Sequence, residues 1–97
     1  MKYNISMSIS ANADFFRICE NLKEYGQAQI DILSKSLDKF VDNVTVMPSM
    51  YPQYRNTKYR KAALAYDYIA FYKIDKKNKT IILSRILHSK QNIEGLI

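Results

Sequence analysis

Gly26 divides two apolar stripes of helical spacing. Before it, Phe15, Ile18, Leu22 and Tyr25 recur every three or four residues. After it, Ile30, Leu33, Leu37, Phe40 and Val44 do the same. Apolar residues at that spacing gather on one side of a helix. The pattern predicts helices over 11–25 and 27–44, with Ser10 as the first N-cap, Asp14 in the first turn and Gly26 as the stop. Helices joined by so short a turn fold back as a hairpin. Each then carries an apolar face that other parts of the chain must cover, and the stripe is too short for a coiled coil to be preferred.

That cover is written as strands. Residues 2–10 alternate, with Tyr3, Ile5, Met7 and Ile9 on one side and Asn4, Ser6 and Ser8 on the other. After the helices, residues 47–58 contain both prolines and read as a surface loop. Residues 59–64 are a strand and 65–67 a tight connection. Residues 68–75 (Y-I-A-F-Y-K-I-D) carry strand formers on both faces, as a central strand does. Residues 75–79 (D-K-K-N-K) form a polar hairpin turn, 80–88 a further strand, and Ile93, Leu96 and Ile97 a short terminal helix or tail. The order β-α-α-β-β-β predicts an α+β fold over residues 1–97 as one domain. In it, a mostly antiparallel sheet has a helical hairpin on one face and its other face partly open.

Composition narrows the function. Nothing approaches the length of a membrane-spanning apolar run. The start M-K-Y-N-I-S-M-S-I-S alternates where a secretory signal needs a continuous apolar core, so a cytoplasmic location is expected. The single Cys19 sits at helical spacing beside Ile18 and Leu22 and reads as a small core residue. Asp, Glu and His occur at no spacing that fits a metal site, and no glycine-rich phosphate loop exists, so no cofactor is expected. Charge is uneven: residues 1–50 carry five Lys/Arg and six Asp/Glu, residues 51–97 ten and three. The second half also holds six of the eight tyrosines. A basic, tyrosine-rich half points to a polyanionic or acidic partner.

The run Y-R-K at 59–61, Y-I-A-F-Y-K-I-D at 68–75 and T-I-I-L-S-R-I-L-H at 80–88 resembles the RelE/ParE superfamily of toxins from type II toxin–antitoxin systems. The alternating start, the helical hairpin, M-P-S-M-Y-P at 47–52 and K-Q-N-I-E at 90–94 stand in the order of that superfamily. The resemblance implies a cognate antitoxin as partner, a part in plasmid stabilisation, and one of two toxic acts. ParE-like members bind DNA gyrase; RelE-like members cut messenger RNA on the ribosome. A decayed toxin that keeps only antitoxin binding is a third reading, and the fold alone does not choose among them.

Cleavage of RNA by its own 2′-OH needs a base, an acid and cations for the charged phosphorane. Set against the nuclease pattern implied by the resemblance, Arg60 matches the first basic position. The next falls on Ala62, the arginine of the central strand on Ile69, and the arginine after the last strand near Gln91, beside Lys90. The terminal tyrosine has no counterpart. His88 stands where some nuclease members carry a histidine, and Arg60, Lys90 and nearby tyrosines complete a possible set. Against this, R-I-L-H also occurs in ParE-like members, and Arg85 falls on the opposite face from His88 in a regular strand. The ParE-like, gyrase-binding reading is preferred. Arg60, Lys61, Arg85, Lys90 and Tyr66 are then candidates for contacting the antitoxin or target, and His88 is catalytic only in the nuclease reading. Tyr68 and Tyr72 share a face and fit core packing as well as base stacking. Lys73, Lys76, Lys77 and Lys79 read as a solvated turn.

Overall fold

The computed structural model describes residues 2–97; Met1, the first residue of the predicted domain, lies outside the described residues. The elements are β1 (Asn4–Met7), α1 (Ile9–Leu22), α2 (Gln27–Val46), β2 (Arg60–Ala63), β3 (Tyr68–Asp75) and β4 (Thr80–His88), with short 3-10 turns at Lys23–Tyr25, Ala65–Asp67 and Ile93–Gly95. The sheet order is β1-β4-β3-β2. β1 runs parallel to β4, and the β2–β3 and β3–β4 pairs are antiparallel. Among the described residues no helix is long and apolar enough to cross a membrane.

The helical hairpin packs on one sheet face. Ile18, Leu22, Leu33, Phe40 and Val44 meet Ala62, Ala70, Tyr72, Ile81, Leu83 and Ile86 in the main core. Gly26 makes the turn at φ 106°, a left-handed backbone that side chains resist. Tyr25, expected on the first helical stripe, falls in the 3-10 turn and is 70% exposed. Tyr72 is fully buried; its hydroxyl donates to the Pro48 carbonyl at 2.7 Å, and its ring meets Phe40 and Tyr51. Those contacts hold the proline loop to the core. Burial pushes the Tyr72 phenol up to about 12.

The first strand is shorter than its alternation predicts. It ends at Met7 because Ser8, not Ser10, caps the helix: the Ser8 hydroxyl accepts from Ala11 N–H at 3.0 Å and donates to the Ser84 carbonyl at 2.7 Å. Ile9 therefore leaves the strand pattern, starts α1 and is 91% exposed. Asp14, expected in the first turn, lies a turn deeper and is 1% exposed.

Ser84 also marks a β-bulge. Tyr72 pairs with Leu83, but Phe71 pairs with Arg85, so β4 has one residue more than β3 there. The extra residue reverses which side chains face the helices. Ile81 and Leu83 do so before it, Ile86 and His88 after it.

Because β1 has ended, the second half of β4 has no strand on that edge. Asp14 takes its place: Oδ2 accepts the Ile86 N–H at 3.0 Å. Arg85 holds the same carboxylate through Nε at 2.7 Å and NH2 at 2.9 Å, and Arg17 adds a contact at 3.3 Å. Further along, Gln91 Oε1 accepts the His88 N–H at 2.6 Å. Two side chains thus close a sheet edge.

The opposite sheet face carries a second small cluster of Tyr54, Phe71 and Leu87, packed by Tyr59, Ile69, Ile93 and Ile97. The loop and the C-terminal segment cover much of the face, leaving it partly open, as the sequence suggests.

Burial acts to raise the Asp14 pKa, but the hydrogen bonds from Arg85 and Ile86 outweigh it and hold the carboxyl below its ordinary value. A depressed folded pKa gives stability that is complete above the unfolded value, about 3.9, and lost as pH falls through the lower folded value. Asp14→Asn is expected to cost roughly 3 kcal/mol at pH 7. The gap from wild type should narrow below about pH 4, as the wild-type carboxyl protonates. Urea unfolding of both proteins at pH 7 and pH 3 checks this; a gap that widens in acid contradicts it.

Candidate interaction surface

The residues singled out from sequence lie in three separate places. Arg60 is half-buried on β2, where NH1 donates to the Tyr51 carbonyl at 2.7 Å. It clamps the proline loop onto the sheet. Lys61, next along the strand, points to the other face and is exposed; its ammonium stands 5.8 Å from the Tyr54 ring centroid. It lines an apolar cleft of about 390 Å³ with Tyr51, Pro52, Ala63 and Ile69. This cleft is the uncovered part of the second face.

Arg85 is committed internally. Besides its two bonds to Asp14 it donates through NH1 to the Leu96 carbonyl at 2.8 Å. It joins α1, β4 and the C-terminal segment, which Arg55 also ties down by an ion pair to Glu94. Sequence reading gave no hint of this, because Asp14 and Arg85 are 71 residues apart.

His88 lies at the far end of β4 on the helix side. Its ring meets Tyr68 edge-on at a centroid distance of 5.1 Å. Lys90 is exposed, and its backbone N–H donates to His88 Nδ1 at 3.2 Å. Tyr66 is 40% exposed in the β2–β3 connection at φ 60°; the adjacent Asp67, at φ 62°, accepts the Ser89 N–H at 2.9 Å through its carbonyl. Tyr66 therefore stands at the His88 end of the sheet.

His88 and Arg60 are not neighbours. Their β3 partners, Tyr68 and Tyr72, are four residues apart, about 13 Å of strand, and β3 lies between the two strands. The structure places Arg17, Asn21 and Gln91 around His88 instead. Arg17 and Asn21 escaped the sequence reading because only the packing of α1 on β4 gives them meaning. Tyr72 serves the core, and Tyr68 packs against it. The Cys19 thiol is partly buried, and burial, the main cause, raises its pKa and so disfavours the thiolate. The hairpin turn is held by Asp75, which accepts from Asn78 N–H at 3.1 Å and Nδ2 at 2.8 Å. Among the described residues no group of three or more His, Cys, Asp or Glu side chains is placed to hold a metal ion.

A helical hairpin on a mixed four-stranded sheet is the RelE/ParE-like toxin fold, and solved structures of that class superpose on the chain. The chromosomal ParDE system of P. aeruginosa matches with a TM-score of 0.71 at 14% identity, covering 90% of this chain and 96% of that one. The intact E. coli RelBE toxin–antitoxin complex gives 0.65 at 12%, covering 92% and 99%. The RelBE2 toxin–antitoxin complex of Mycobacterium tuberculosis gives 0.58 at 19%, covering 91% and 99%. No curated protein sequence matches. The sequence model of the ParE toxin of type II toxin–antitoxin systems matches residues 5–93, and the chain belongs to that family.

Arg85→Lys tests the internal role of that side chain. A lysine cannot supply the planar fork that reaches Asp14 and Leu96 together. The expected result is a loss of roughly 2 kcal/mol and faster amide hydrogen exchange in residues 93–97. Unchanged exchange there would place the segment's anchor elsewhere.

Proposed function

We propose that this chain is a single-domain cytoplasmic toxin that acts by protein contact on DNA gyrase and is neutralised by a cognate antitoxin. The observation that carries this reading is that the cations of the nuclease pattern, Arg60 above all, do not converge on His88. A nuclease on this fold needs basic groups converging on one phosphodiester. Here Arg60 clamps a loop, Arg85 is tied to Asp14, and His88 stands roughly 13 Å along the sheet from the Arg60 register. Membership of the ParE rather than a RelE family supports the same side.

The antitoxin partner is supported by the solved relatives, which are toxin–antitoxin complexes. A suitable docking surface is the apolar cleft beside Lys61. It offers a greasy floor with a cation at its rim, which fits an acidic, amphipathic segment.

Pulse labelling after controlled expression without antitoxin tests the target. Early loss of thymidine incorporation with protein synthesis intact is expected. Early loss of amino-acid incorporation, abolished by His88→Ala, would instead make the chain a messenger-RNA endonuclease. No loss of either would mark a decayed toxin.

Lys61→Glu tests the docking surface. It should weaken antitoxin capture about tenfold at physiological salt through slower association. Full capture would move the docking site off this cleft.

A further inference from the structure

A second cleft, of about 190 Å³, opens between α1 and the end of β4, away from Arg60 and Lys61. Arg17, Ile18, Asn21, Tyr68, His88 and Gln91 line it. Backbone hydrogen bonds fix the polarity of two of these side chains. His88 Nδ1 accepts the Lys90 N–H at 3.2 Å, which assigns the proton of the neutral ring to Nε2. Gln91 Oε1 accepts the His88 N–H at 2.6 Å, so the free end of that amide is its NH2 group. Each side chain spends its acceptor on the main chain and keeps its donor.

Arg17 adds charge. One of its amino groups contacts Asp14 at 3.3 Å, but Asp14 is already held by two shorter bonds from Arg85. The Asp14–Arg85 pair is neutral by itself, so the positive charge of Arg17 is left over, on a side chain 52% exposed. No carboxylate lines the cleft. A lining that offers N–H donors and a cation, without a fixed anion, selects an oxyanion.

The donors come from a helix, a strand end and the turn after it, so they reach the cleft from three separate elements. Together they exceed the roughly four lone-pair positions of a carboxylate. That favours a tetrahedral oxyanion of higher charge. Asn21 and Tyr68 can each donate or accept, which suits the ester oxygen or hydroxyl of an attached group. The edge-on contact with Tyr68 holds the His88 ring in place.

We propose that this cleft binds a phosphate group, free or as a phosphomonoester, through Arg17, His88 Nε2–H and the Gln91 amide. Arg17 supplies the charge, and the other two supply oriented hydrogen bonds. The site is separate from the antitoxin-docking cleft and rests on the reading of the chain as a protein-binding toxin, because in a messenger-RNA endonuclease the same groups around His88 would hold the scissile phosphodiester.

The test is an NMR titration of the full chain at pH 7 and constant ionic strength. The probes are inorganic phosphate, adenosine 5′-monophosphate and acetate. Two variants are titrated alongside. Gln91→Glu keeps the acceptor for the His88 N–H but replaces the donor with a negative charge. Arg17→Gln removes the cation while Asp14 keeps Arg85. Saturable shifts at Arg17, His88 and Gln91 with phosphate or the nucleotide are expected, weakened about tenfold or more in each variant. Tighter binding of the nucleotide than of inorganic phosphate identifies a phosphomonoester ligand; equal or weaker binding identifies free phosphate. The proposal is overturned by shifts that do not saturate, by acetate saturating at the same concentrations, or by unchanged affinity in Gln91→Glu.

Discussion

The carboxylate of Asp14 is the contact on which the rest of the structure turns. It is buried, it accepts the Ile86 N–H, and it is gripped by the Arg85 fork. Without it, the sheet edge beyond the end of β1 would carry an unsatisfied amide in the interior. Arg85 passes the constraint on to the Leu96 carbonyl, so the C-terminal segment rests against the second face. A charge pair this buried costs desolvation of both partners, and the hydrogen bonds on every side offset it. One carboxylate thereby replaces a strand, orients α1 and anchors the tail.

A second constraint does the same for the proline loop. Phe40, Tyr51 and Tyr72 pack as an aromatic trio, with centroids 5.4 to 6.2 Å apart. Tyr72 donates to the Pro48 carbonyl and Arg60 to the Tyr51 carbonyl. Two of the basic residues that a charge count assigns to partners, Arg60 and Arg85, are thus spent inside the fold. Net charge is a statement about the field around a molecule; it does not say which cations are free. The more exposed ones nearest a cleft stand at separate places on the surface: Lys61, over the Tyr54 ring, and Arg17, whose contact with Asp14 is the longest of that carboxylate's bonds.

That separation shapes the functional reading. The RelE/ParE-like fold supports unrelated toxic acts, so the distinction lies in side-chain placement rather than topology. Catalysis of RNA cleavage needs groups within hydrogen-bond reach of one phosphate. Here His88 lies in the polar cleft beside Arg17, while Arg60, the basic residue that the nuclease pattern pairs with it, clamps the proline loop about 13 Å along the sheet. The cleft beside Lys61 is mostly apolar with that one lysine in its lining, and the cleft beside His88 is mostly polar with one arginine and one histidine.

The element order, the helical hairpin broken at Gly26 and the limits of β3 and β4 were all legible in the sequence, because they rest on local periodicity and on glycine's freedom at positive φ. The register was not. A single extra residue at Ser84 reverses the facing of everything after it and sets His88 toward α1. Period-two reading assumes a regular strand and cannot detect a bulge fixed by the Ser8 hydroxyl 76 residues away. For the same reason Asp14 read as a first-turn dipole residue and Arg85 as a surface cation. Local pattern determined which segments are helices and strands; contacts distant in sequence decided which polar side chains are structural and which remain free to bind.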